Sequence, residues 1–320
     1  MRHAGWVALS LLLGLAGCAR HRTSAEIIRR LQERAAEERR PELDRVALGG
    51  AVAVPFQRVP RKLVLPMQDA KLPAVAARID GRDAVVILDT GAGGLLLGAA
   101  WAREAETYVP PGDPVPVVTP GGLRRSYRGA VEILELDGFP FGPARVLISA
   151  ERRFRSGPAG RRLPFDGAVG CAVLAHFRAV FDFERREVRL FPHAKPGGAA
   201  LLFARCHIND RSFLLLVDSG ADEIHLEPSA AQSLGLIGEP EARRLHEEGG
   251  LGPKVLLESL RVAGRAFNNL HARVSPTFDG LDREATPDVK GPVGGLLGLA
   301  ALGPLVWTLD FQRKTLSVRD

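Results

Sequence analysis

Short apolar runs bounded by turn residues recur along most of the chain. Residues 84–88, 131–136, 145–148, 179–183 and 187–191 are rich in Val, Leu, Ile and Phe and read as β-strands. Helical periodicity is scarce. It is confined to short pieces at 99–106 and 228–234, the second with Pro228 in its first turn, and to the charged stretch from Thr23 to Arg40. In that stretch Thr23 and Glu26 have capping-box spacing, Ile27, Ile28 and Leu31 form a thin apolar stripe, and Pro41 marks the stop. So thin a stripe suits a spacer, with packing onto the body left open.

The strand pattern is written twice. Ile79-Asp80-Gly81-Arg82 and the run from Val85 to Ala92 return as Ile208-Asn209-Asp210-Arg211 and the run from Leu214 to Ala221. Asp89 and Asp218 are 129 positions apart. Gly121-Gly122-Leu123 returns as Gly249-Gly250-Leu251, Val169-Gly170 as Leu297-Gly298, and Asp182 as Asp310, each at a spacing of 128. Landmarks in one order at one spacing indicate a duplicated domain rather than a solenoid repeat. The organisation expected is a leader at 1–17, a charged helical spacer at 18–50, a first lobe at 51–196 and a second at 197–320, with a Gly/Pro-containing linker between the lobes.

Composition fits this picture. The 320 residues are 46% hydrophobic and 25% charged, with 35 Gly and 23 Pro spread throughout, which favours sheets and excludes a coiled coil. The net charge of +6 comes from interleaved signs without an aromatic-studded basic stripe, so no nucleic-acid partner is expected. The crowd of arginines at 152, 153, 155, 161 and 162 reads as a solvated loop, or else as a contact for acidic substrate or lipid headgroups. Arg2 and His3 precede an apolar run ending in Leu15-Ala16-Gly17-Cys18, too short to span a membrane and shaped like a secretory leader. That ending resembles the lipobox of bacterial lipoproteins. The resemblance implies lipidation at Cys18 and a chain anchored in the bacterial cell envelope, with Ala19 leaning toward a periplasm-facing outer-membrane location. Cys171 and Cys206 lie in apolar segments and read as buried thiols rather than a bridge.

The chemistry lies in the repeated motif. An apolar strand ending in Asp89-Thr90-Gly91-Ala92, and another in Asp218-Ser219-Gly220-Ala221, each place a carboxylate at a strand-to-loop corner, followed by a hydroxyl able to bond across and a Gly that permits close backbone approach. Facing loops would bring Asp89 and Asp218 together, and like charges at contact must share a proton, which supplies a general acid and a general base. No His-Glu-x-x-His or Gly-x-Ser-x-Gly motif occurs, Gly91-Ala92-Gly93-Gly94 lacks dinucleotide-loop spacing, and no metal or cofactor is expected. Asp182 and Asp310, beside charged turns, read as hairpin residues.

Together with the later Ala168-Val169-Gly170 and Leu296-Leu297-Gly298, these motifs resemble the aspartic proteases, especially their bacterial retropepsin-like branch, over roughly residues 70 to 320. The resemblance implies an all-β fold of two homologous β-barrel lobes in one chain, related as a pseudo-twofold pair and working as a monomer. It also implies endopeptidase action on a peptide or protein substrate. It suggests flap hairpins at Gly121-Gly122 and at Gly249-Gly250, for which an ordinary surface hairpin is the alternative. Ala92 and Ala221 stand where further hydroxyl donors could be, so weaker anion stabilisation and a pH optimum near weak acid or neutrality are expected. The competing reading is a catalytically silent lipoprotein that uses the duplicated scaffold to bind peptides or assemble partners.

Overall fold

The computed structural model describes residues 23–49, 61–119, 122–149, 165–194, 201–276 and 293–319. The leader, Cys18, Gly121 and the arginine-rich loop at 152–162 lie outside them. Two helices come first, α1 (Ser24–Glu38) and α2 (Pro41–Gly49). The first copy then runs β1 (Leu63–Pro66), β2 (Ala74–Ile79), β3 (Arg82–Leu88), β4 (Leu95–Gly98), α3 (Ala99–Glu104), β5 (Val115–Thr119), β6 (Gly122–Val131), β7 (Leu134–Leu136), β8 (Phe139–Phe141) and β9 (Ala144–Ser149). It ends with β10 (Gly167–Val169), α4 (Cys171–Leu174), β11 (Phe177–Asp182) and β12 (Glu187–Pro192). The second copy runs β13 (Phe203–Ile208), β14 (Arg211–Val217), β15 (Ile224–Leu226), α5 (Pro228–Ser233), α6 (Glu239–Glu248), β16 (Lys254–Val262), β17 (Arg265–Val274), β18 (Val293–Leu297), α7 (Leu299–Leu302), β19 (Val306–Asp310) and β20 (Thr315–Arg319).

The duplication is visible strand by strand. Tight turns open each copy: Asp80 and Gly81 have φ of 49° and 79°, Asn209 and Asp210 of 44° and 67°, the left-handed pair that a two-residue hairpin needs. Beyond the turn, β3 and β14 share one burial pattern, exposed at the first two residues and buried over the last three, because those ends lie between neighbouring strands. In the first copy β10 runs parallel to β3 and antiparallel to β4; in the second, β18 runs parallel to β14 and antiparallel to β15. The copies have diverged around this frame. The first is a nine-stranded sheet, β5-β6-β9-β4-β10-β3-β2-β7-β8, and the second a closed six-stranded barrel.

A third sheet, β1-β12-β11-β19-β20, joins the copies through antiparallel pairing of β11 with β19. Phe181 opposes Trp307 in that register, and their rings stack at 4.0 Å with planes 8° apart. Both are fully buried. Asp182 and Asp310 are hairpin residues: each accepts a backbone N–H three residues on, from Arg185 at 2.9 Å and Arg313 at 3.0 Å. Cys171 and Cys206 are buried free thiols.

The N-terminal helix is not a free spacer. Its capping box forms as the spacing suggests, and its stripe of Ile27, Ile28 and Leu31 joins the main core. Pro41, which ends α1, opens α2 at the position where a missing N–H does no harm. Ala35, Leu43 and Ala47 then close on Tyr108 and Ala130 in a small cluster of their own, with α2 lying on β6 and α1 on α3. Tyr108 donates its hydroxyl to Asp44 at 2.8 Å, and Gln32 donates to the carbonyl of Gly112 at 2.9 Å. Among the described residues no helix is long and apolar enough to cross a membrane.

Because Trp307 is packed where the copies join, Trp307→Ala should cost about 3–5 kcal/mol. Urea unfolding followed by circular dichroism should show the midpoint shifting for both copies together, as one transition.

Candidate active site

Each Asp-hydroxyl-Gly loop hangs from a strand and is pinned beneath by the apolar-Gly segment of its own copy. The Asp89 N–H donates to Val169 O at 2.9 Å and the Asp218 N–H to Leu297 O at 3.1 Å. Gly170 and Gly298 follow those residues, and neither has room for a side chain, since a Cβ would lie 2.3 Å from Ala92 O and 2.0 Å from Glu223 O respectively.

The two loops then grip each other. Thr90 Oγ1 donates to Val217 O at 2.7 Å and accepts from Ser219 N at 3.0 Å. Ser219 Oγ donates to Leu88 O at 2.6 Å and accepts from Thr90 N at 2.9 Å. Each hydroxyl is therefore both donor and acceptor across the copy boundary, and both are completely buried. The glycines reciprocate in the same way. A Cβ on Gly91 would stand 2.4 Å from Asp218 Cγ, and one on Gly220 would stand 2.6 Å from Asp89 Cγ. Each carboxyl thus rests against the bare glycine of the other copy, a position that Ala could not take.

Backbone donors orient the acids. Asp89 Oδ1 accepts from Gly91 N at 2.9 Å and Ala92 N at 3.1 Å, and Asp218 Oδ1 accepts from Gly220 N at 2.8 Å. Burial pushes the pKa of both above the usual carboxylate value, opposed by these donors. At Asp218 the charge of Asp89 adds to burial. A hydrogen bond links the two carboxyls, so they share one proton and titrate as a pair. Ala92 and Ala221 contribute no side-chain donor.

The two suggested flaps do not match. In the first copy β5 and β6 pair from Val115↔Ser126 to Thr119↔Gly122, so Gly122 begins a hairpin strand whose turn, with Gly121, lies outside the described residues. In the second copy Gly249 and Gly250 are not a hairpin tip. They end α6, with φ of 71° and 85°, and the residues corresponding to β5 by the repeat spacing belong to that helix. Pro240 in the first turn, buried Ala242 and Leu245, and Arg–Glu pairs between Arg243 and Glu239 and between Arg244 and Glu248 stabilise the helix there.

One contact had no sequence signal. Cys171 Sγ donates to Thr90 O at 3.3 Å, and burial, then the nearby carboxylates, push its thiol pKa far up, so it stays neutral. Its counterpart by spacing is Leu299. Among the described residues no group of three or more His, Cys, Asp or Glu side chains is placed to hold a metal ion.

The sequence model of the family described as aspartyl protease matches residues 75–170 and again residues 204–301, once per copy. Among solved structures, the crystal structure of a retropepsin-like aspartic protease from Rickettsia conorii is similar at 11% identity and a TM-score of 0.30, covering 40% of this chain and 89% of that one. No curated protein matches.

Thr90→Val keeps the shape of the side chain but strands buried partners, so it should cost about 1–3 kcal/mol. Combined with Ser219→Ala in a double-mutant cycle of denaturation midpoints, the losses should be non-additive, because the two hydroxyls serve one network. A second prediction follows from the raised acids. The native state binds more protons than the unfolded chain between the ordinary carboxylate pKa and the raised folded values, so stability falls as pH rises through that window. Asp218→Asn removes this loss: its Tm should exceed the parent's at pH 7 and the difference should shrink at pH 4.

Proposed function

Because the chain belongs to the aspartyl protease family, we propose that it is an endopeptidase that cleaves peptide bonds with a water activated between Asp89 and Asp218. The observation that carries this reading is the reciprocal seating of each carboxyl on the other copy's glycine, which makes one acid pair from two loops. In this reading one carboxylate of the pair takes a proton from the water as it attacks the peptide carbonyl. The other gives the shared proton to the carbonyl oxygen, which avoids an uncompensated oxyanion. The tetrahedral species then collapses with proton transfer to the leaving amine. The nucleophile is water, so no acyl-enzyme forms.

The single-chain dyad supports a monomer as the working unit, since both carboxylates and the sheet joining the copies come from one polypeptide. We further propose a lipid anchor at Cys18 in the bacterial cell envelope, on the strength of Leu15-Ala16-Gly17-Cys18. The docking of α1 gives that proposal a consequence. Cys18 and Thr23 are separated by at most roughly 18 Å of extended chain, so an anchored body would work close to the bilayer surface.

Cleavage of an unstructured protein mixture across pH 3 to 8 tests the reading. The parent should cut, with an optimum near weak acid or neutrality, and Asp89→Asn and Asp218→Asn should each reduce the rate by at least about 10³-fold. A folded parent that does not cut at any pH would support the silent-scaffold alternative.

A further inference from the structure

The sheet that joins the copies has two unlike faces. Strand alternation turns Ala179, Phe181, Trp307 and Leu309 into the core. On the opposite face Arg189, Val180, Thr308 and Ser317 lie side by side across β12, β11, β19 and β20, as the pairing registers require. Arg178, beside Asp310, borders this row at one end of the strands, and Arg319, opposite Val306, borders it at the other. With Arg313 from the turn after β19, these side chains line a cavity of about 260 Å³, to which neither the Asp89 loop nor the Asp218 loop contributes. Each copy supplies two of its four guanidinium groups, so the cavity is a product of the join.

Charge in the cavity is unbalanced. Arg313 donates to Asp310 Oδ2 at 3.2 Å, and Arg189 donates to Asp182 Oδ2 at 3.4 Å, with Glu187 also 3.4 Å from its Nε. Asp310 is occupied further by the backbone N–H of Arg313 and by His193, whose Nε2 lies 3.7 Å away. The other two arginines have no such match. Arg178 lies over the ring of Phe191, 4.8 Å from its centroid, and neither Arg178 nor Arg319 has a carboxylate partner among the described residues. The hydroxyls of Thr308, Thr315 and Ser317, which also line the cavity, make no hydrogen bond among the described residues. Two uncompensated cations and three unused hydroxyls therefore surround one small space.

We propose that this cavity binds a phosphate group, carried either by a soluble anion or by the headgroup of an anionic lipid. The donor set decides between oxyanions. A carboxylate offers two oxygens and one charge, whereas a phosphate monoester presents three strong acceptor oxygens and up to about two negative charges. Only the latter can balance both Arg178 and Arg319 and still accept from the hydroxyls between them, and guanidinium is the side chain best suited to it. The site would stand whether or not the chain cleaves peptides.

Isothermal titration of the full-length chain in neutral detergent micelles tests the assignment. One arm adds inorganic phosphate; the other adds micelles doped with phosphatidic acid, with diacylglycerol-doped micelles as the blank. At least one phosphate probe should bind saturably. Arg178→Gln and Arg319→Gln should each weaken that binding by about tenfold, as expected for a lost charge-assisted hydrogen bond. Arg185→Gln, on the neighbouring turn and outside the cavity lining, should leave it unchanged. Neither Arg178 nor Arg319 holds an ion pair in the fold, and circular dichroism melting confirms that each variant is folded; should one fail, the other decides. Tighter binding of phosphatidic acid identifies a lipid headgroup as the source, and tighter binding of inorganic phosphate a soluble anion; both agree with the proposal when the two variants abolish the difference from the blank. Absence of saturable binding in both arms, full affinity in both variants, or tighter binding of polyglutamate than of either phosphate probe would overturn it.

Discussion

Two carboxylates pressed together in a half-buried site repel unless they share a proton, and holding them there requires a frame that neither copy supplies alone. Thr90 and Ser219 provide it by exchanging hydrogen bonds with the backbone of the opposite strand end. Because each hydroxyl is buried and used in both directions, a small separation of the copies would strand four polar groups at once. The glycines then fix the approach. Gly91 and Gly220 leave room only for the partner's carboxyl, so the distance between the acids is set by backbone contact rather than by flexible side chains. The inter-copy sheet, with Phe181 stacked on Trp307, gives the same union an apolar base far along the chain from the loops.

Most of this frame was legible in the sequence because it is local and repeated. The hairpin turn, the apolar strand, the Asp-hydroxyl-Gly corner and the apolar-Gly segment each depend on a few adjacent residues, and each appears twice at nearly one spacing. What was not legible depends on neighbours distant in sequence. Gly249-Gly250 matched Gly121-Gly122 in letters, but their roles are set by what precedes them: Val115–Thr119 pairs with β6, whereas Glu239–Glu248 has the charge pairs and the Ala242/Leu245 spacing of a helix. The stripe on α1 looked too thin to bury, but Ile27, Ile28 and Leu31 join the main core, whose other members lie in the body with no local trace of the contact. Cys171 gave no sign of its bond to Thr90, because one cysteine in an apolar run looks like any other.

Duplication followed by divergence accounts for the mixture of symmetry and its loss. Symmetry persists where the copies touch, at the acids, the hydroxyls, the glycines and the paired strands β11 and β19. It fades outward, where one copy is an open nine-stranded sheet and the other a closed barrel, and where α6 occupies the place of β5. Pseudo-twofold geometry is retained where proton sharing requires it, and the loop positions after the alanines, free of that requirement, carry different charges in the two halves.

The most direct test of the shared proton is ¹³C NMR of the full-length chain with labelled aspartate carboxyls, titrated from pH 3 to 8, with Asp89→Asn and Asp218→Asn used to assign the two signals. The dyad should titrate in two well-separated steps, the upper one well above the ordinary carboxylate value of 3.8, and either substitution should collapse the pair to a single step. Two independent titrations near that ordinary value would contradict the account, because the carboxyls would then be neither buried together nor sharing a proton.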